Sequence, residues 1–138
     1  MAHGLLRRIL YDLFEWEADV LARPGSDKEH TIRREIRLDL EGGPPLYISW
    51  SSDPVQYCIG VGSKSFFDPG NDVLVDASDH PIWRRIMGGP VELRPLDTEH
   101  QILELRGPDA SVHLSSREEN HWTADVVTVS ARRPHLGA

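Results

Sequence analysis

"LRRILYDLFEW", residues 6–16, decides how this chain is read, because its apolar residues carry two periods in succession. Leu5, Leu6, Ile9, Leu10 and Leu13 recur at the three- and four-residue spacing of one helix face. From Phe14 the period falls to two: Phe14, Trp16, Ala18 and Val20 alternate with Glu15, Glu17 and Asp19, the signature of a half-buried strand. A helix followed by a strand is therefore expected. "WRRIMGGPVEL", residues 83–93, has the same shape: Ile82, Trp83, Ile86 and Met87 form an apolar stripe with Arg84 and Arg85 turned to water. Ser78 or Asp79 can accept from the free first-turn amides, Pro81 suits that turn, and Gly88, Gly89 and Pro90 end the helix.

The two stretches anchor a collinear match along the chain. Arg7-Arg8-Ile9-Leu10 falls on Arg84-Arg85-Ile86-Met87, and Glu15 falls on Glu92. Glu29-His30 with Ile32 falls on Glu99-His100 with Ile102, and residues 38–52 fall on 103–116. "VQYCIGVGS" (55–63) then corresponds to "WTADVVTVS" (122–130). Alternating runs at 32–40, "LYISW", "VQYCIGV", "PVELRPL", "HQILELR", "SVHLSS" and "WTADVVTV" read as strands. Gly42-Gly43-Pro44-Pro45, Asp53-Pro54, Asp97-Thr98, Gly107-Pro108 and a loop at 118–120 separate them. The expected fold is α+β, mostly β: a pseudo-twofold tandem of a helix plus a four-stranded antiparallel meander. The units are 4–63 and 80–130, joined by a linker, 64–79, that carries a short strand "VLV".

At 138 residues with 39% apolar content, the chain has enough core for one domain spanning 1–138 and too little for two. Asp and Glu number 22 against 15 Lys and Arg, a formal charge of -7, which disfavours nonspecific attraction to nucleic acid or anionic lipid and steers basic partners inward. Cys58 is the only cysteine, so no internal disulfide forms and the cytoplasm is the expected compartment. Arg7, Arg8, Asp12 and Glu15 interrupt the apolar runs of the first twenty residues, so neither a signal peptide nor a membrane span is expected there.

Motifs that carry chemistry are scarce. "VDASDH" (75–80) is explained by helix capping, and "DPGND" (68–72) by a β-turn, since it lacks the length and terminal Glu of a calcium loop. The seven histidines show no metal-ligand spacing, and Cys58 alternates with Tyr57 and Ile59 as a sheet residue does. No catalytic residue, metal site or cofactor is expected. Glu15, Glu17 and Asp19, with Asp12 just before them, form an acidic face whose plain reading is a solvated strand face. Its functional reading is a docking strip for a basic protein, with Arg33, Arg34 and Arg37 neutralising part of it across the first hairpin. Adjacent Phe66 and Phe67 must point opposite ways in extended chain, so one is a candidate anchor. Together with Asp68 and the acidic face they make the candidate partner-binding set.

The blocks "LYISW", "QYCIG" with Phe66-Phe67, "VDASDHPIW" and "QILEL" resemble small bacterial α+β proteins of the immunity-protein type. Ile86-Met87-Gly88 is similar to the end of the second helix in that group, whereas Tyr11-Asp12 departs from it, and no site residue is carried over. The resemblance implies a bacterial protein that neutralises a cognate toxin by covering its active surface. The functional expectation is thus a noncatalytic protein-binding module with a basic partner such as a toxin domain. The alternative is a small-ligand-binding or enzymatic domain with a pocket between the units, where His113, Tyr57, Trp50 and Cys58 converge.

Overall fold

Residues 6–13 are extended, not helical, and this corrects the expected fold. The computed structural model describes residues 3–51, 58–67, 70, 72–97, 101–116 and 126–131. The Asp53-Pro54 turn, the loop at 118–120, Tyr57 and Asp68 lie outside the described residues. Strand β1 runs His3–Phe14 and pairs antiparallel with β3 (Glu35–Leu40): Leu6 lies opposite Leu40 but Arg8 opposite Asp39, so one extra residue bulges out of β1 at Arg7. The bulge shifts the inward face from Leu6 to Ile9, Tyr11 and Leu13, all fully buried. A spacing of three across a bulge imitates one turn of helix. Leu5 and Leu10 lie on the other face and complete the imitation.

The strand expected from Phe14 to Val20 is also corrected. The chain there makes two 3-10 turns, Glu15–Glu17 and Val20–Ala22, because the Glu17 carboxylate turns inward. Its Oε1 accepts from the Phe14 amide at 3.1 Å, which closes the turn on itself. The pseudo-twofold helix-plus-meander tandem does not form, since Arg7-Arg8-Ile9-Leu10 lies in β1 while its aligned counterpart spans α1 (Pro81–Arg84) and the turn that follows. That short helix keeps its expected stripe, with Ile82, Trp83 and Ile86 buried and Arg84 and Arg85 exposed. Its cap differs: the His80 imidazole Nδ1 accepts the Ile82 amide, and Ser78 Oγ instead accepts the Ile9 amide of β1. The helix closes at Arg84 with Arg85 as its cap, earlier than expected, and Gly88, at φ +79°, ends the turn that follows.

The remaining strands are β2 (Glu29–Ile32), β4 (Leu46–Ser51), β5 (Cys58–Gly62), β6 (Asp72–Asp76), β7 (Pro90–Pro95), β8 (Ile102–Arg106), β9 (Ser111–Ser115) and β10 (Val127–Ser130). All pairings described are antiparallel, in the order β2-β10-β9-β8-β7-β1-β3-β4-β5, with β6 on β1. Only Arg33 and Arg34 separate β2 from β3, so the order returns to β1 through the chain itself and wraps one apolar interior. Tyr11, Ile32, Leu105, Leu114, Val127 and Trp83 share that core. Strand β1 carries β7 beside its first residues and β6 beside its last on the same edge, with α1 looping out between them. Among the described residues no helix is long and apolar enough to cross a membrane.

Candidate functional site

Residues 63–67, which follow β5, lie over the outer face of β3 and β5. Buried Glu35 holds that segment: it accepts Ser65 Oγ at 2.5 Å and the Phe66 amide at 2.8 Å. Gly60 makes room for it, since a Cβ there would meet the Phe66 ring at 3.2 Å. The segment brings Phe67 over the guanidinium of Arg34, 4.9 Å from the ring, and sets its ring edge-on to Trp50 at 6.1 Å. The Arg34 guanidinium also lies over the Phe14 ring, at 5.5 Å.

Phe14 begins a second layer. Trp16 stacks parallel to it at 6.0 Å, and the Arg33 guanidinium lies 5.1 Å from the indole centre. Glu17 fixes both partners, because its Oε2 accepts the Arg33 amide at 3.2 Å and faces Arg33 Nη1 at 3.7 Å. Arg23 adds a bond to the Trp16 carbonyl at 3.0 Å while pairing with Asp19. Trp16 is thus 61% exposed yet contacts both an aromatic ring and a cation, each such contact worth about 0.5–1.5 kcal/mol. Leu74 at 62% and Phe66 at 40% extend the exposed apolar surface on the same outer face.

Beneath the aromatic layer, Arg34 Nε donates to Asp12 Oδ1 at 3.2 Å. The Asp12 carboxyl is pushed up to about 7 by burial and by its hydrogen bond with Asp72, against the opposing pull of Arg34. Asp72 is held low by that same bond and by the Gly70 amide, so Asp12 carries the shared proton. Inside the core, Trp83 Nε1 donates to the Tyr11 hydroxyl at 2.6 Å, which donates to His30 Nδ1 at 2.7 Å. His30 Nε2 then donates to the Ser26 carbonyl at 2.9 Å, 3.3 Å from His80 Nε2. Burial, reinforced by His80, brings His30 down to about 4, and burial raises the Tyr11 hydroxyl.

These two shifts oppose each other in stability. His30 folds neutral, so its contribution is complete above its unfolded value of 6.5 and is lost as pH falls toward 4. Asp12 folds protonated, so its contribution is complete below 3.8 and is lost as pH rises through about 7. Between those limits the two slopes oppose each other in the wild type, with His80, also held low by burial, adding to the His30 side. Asp12→Asn removes one slope and leaves the other, so the variant should lose on the order of 3 kcal/mol between pH 6.5 and 4. Urea midpoints at several pH values check this; a wild type that declines as steeply as the variant would show Asp12 charged in the folded protein.

Of the residues expected to bind a partner, Glu17 is fully buried and Asp12 nearly so, each committed to an arginine. Glu15 and Asp19 are exposed, Phe66 is partly exposed, and Phe67 is half-buried against Arg34. The four acids therefore do not form one strip. Arg33 and Arg34 do meet Glu17 and Asp12, while Arg37 turns to Asp39. The sequence reading missed the platform role of Phe14, Trp16, Arg33 and Arg34; the signal was a pair of aromatics and a pair of arginines, each beside a turn. For the alternative pocket, His113 bonds Glu104 at 3.1 Å on the second half of the sheet, while Trp50 donates to the Arg33 carbonyl. Cys58 is buried opposite Ser51. A separate open groove of about 610 Å³ lies between the 20–31 segment and Ser130-Ala131. No protein-family model, curated protein or solved structure matches this chain.

Proposed function

We propose that this chain is a noncatalytic protein-binding module that docks its partner on the aromatic–arginine platform of the outer face. The observation that carries the reading is Trp16, exposed and yet stacked on Phe14 and met by the Arg33 guanidinium. Large aromatic side chains and arginine supply most of the energy in protein interfaces, and a ring that is already ordered gives up little entropy on docking. Leu74, Phe66 and Phe14 enlarge the apolar surface beyond what isolated exposed residues would make. The charge of -7 favours a basic partner and speeds its encounter. A cytoplasmic immunity protein that covers a bacterial toxin domain is the form of this module we favour, because blocking a surface needs complementarity and anchors, with no catalytic group.

The test is affinity capture from the producing organism with wild-type protein and with the double variant Trp16→Ala, Phe66→Ala. A basic protein retained in a salt-dependent manner by wild type should bind the variant roughly thirty-fold more weakly or worse, with unchanged circular dichroism. If wild type retains no protein while a small metabolite raises its thermal stability, the module is a ligand-binding domain instead.

A further inference from the structure

We propose that the outer edge of β6 is completed by an extended basic segment of the partner, which adds to it as a further strand. The inference rests on the protein-binding reading and specifies how the partner docks. Strand β6 pairs with β1 along one edge, and among the described residues no strand pairs with the other. Which backbone groups face outward follows from Ile9. Its carbonyl accepts the Ala77 amide and its own amide donates to Ser78 Oγ, so both groups of Ile9 point toward the β6 side. Alternation along an antiparallel strand points Tyr11 and Leu13 the same way, toward their partners Val75 and Val73. The amides and carbonyls of Asp72, Leu74 and Asp76 therefore face away from β1, as a template for another strand.

The side chains say what that strand carries. Val73 and Val75 pack against the core, whereas Asp72, Leu74 and Asp76 share the outer face, with Leu74 the most exposed large apolar residue described. The Asp76 carboxylate is positioned by the Ser78 amide at 2.9 Å and that of Asp72 by the Gly70 amide at 3.2 Å. A second copy of β6 laid antiparallel across Leu74 would set Asp72 against Asp76 at both ends, a like-charge arrangement that opposes self-pairing. A segment with Lys or Arg, an apolar residue, and Lys or Arg at alternate positions matches the row instead. Its end would reach the platform, because Phe14 is the cross-strand neighbour of Asp72.

Three blocked peptides test this by nuclear magnetic resonance of the full chain: Thr-Lys-Thr-Leu-Thr-Lys-Thr, the same with Glu for Lys, and the first with N-methylated backbone. The Lys peptide should shift the amides of 72–76 and of Phe14, and the shifts should weaken with salt. Asp72→Lys with Asp76→Lys should weaken it roughly tenfold or more. Leu74→Pro, which deletes an outward amide while sparing the bonds to β1, should abolish it. No shift at millimolar Lys peptide, equal binding of the Glu or N-methylated peptide, or concentration-dependent self-association lost in Leu74→Pro would each overturn strand addition. A captured partner lost from the Trp16 and Phe66 double variant but fully kept by Leu74→Pro would sink this inference and leave the protein-binding reading standing. Peptide addition at β6 without any retained partner would overturn the protein-binding reading and, with it, the partner segment inferred here.

Discussion

Trp83→Ala is expected to lower the unfolding free energy by about 3–5 kcal/mol, a large share of what a domain of this size possesses. Trp83 is fully buried and heads the largest side chains in the core. Its helix, α1, is four residues long, far too short to stand on its own hydrogen bonds, so burial of Ile82, Trp83 and Ile86 is what holds it. Truncation would open a cavity beside Tyr11, whose ring lies edge-on to the indole at 6.4 Å. Trp83→Phe fills most of that space while removing the donor to the Tyr11 hydroxyl, so its cost should be about 1–2 kcal/mol. Urea denaturation of both variants checks the ranking. Equal costs would mean that the hydrogen bond, and not the packed indole, is what secures α1.

Glu17→Ala should cost a comparable amount, about 3–5 kcal/mol, for an electrostatic reason. The carboxylate is fully buried and serves the Phe14 amide, the Arg33 amide and the Arg33 guanidinium together. Its loss leaves two backbone donors without this acceptor and takes from Arg33 the carboxylate at 3.7 Å. Glu17→Gln keeps one carbonyl oxygen and should cost less. The same substitution should release the platform, because Glu17 positions both Phe14 and Arg33 against Trp16. Trp16 would then show faster side-chain motion by nuclear magnetic resonance relaxation in Glu17→Ala. A variant as stable as wild type, with Trp16 unchanged, would show that the rings position themselves.

The α1 stripe, the Leu46–Ser51 strand and the short "VLV" strand could be read directly, because each is set by residues close together in sequence. Residues 6–20 could not. A bulge at Arg7 spaces Leu6 and Ile9 as a helix would, and only pairing with β3 reveals the extra residue. The following alternation is real, but Glu17 finds its acceptor role with Arg33, sixteen residues on, and that draws the chain into a turn. The acidic row looked uniform because sequence shows charge without showing which carboxylates face an arginine.

The local grammar is written along the chain: which stretches are apolar, where glycine and proline punctuate them, that one cysteine excludes an internal disulfide, and that acidic residues outnumber basic ones. Long-range contacts set the extended conformation of β1, the burial of Asp12 and Glu17, the ring and cation contacts of Trp16, and the β6 edge on which no described strand lies. The physical reason is that a strand's partners and a buried charge's counter-ion come from distant parts of the chain. Spacing along one segment records the first kind of information and carries none of the second.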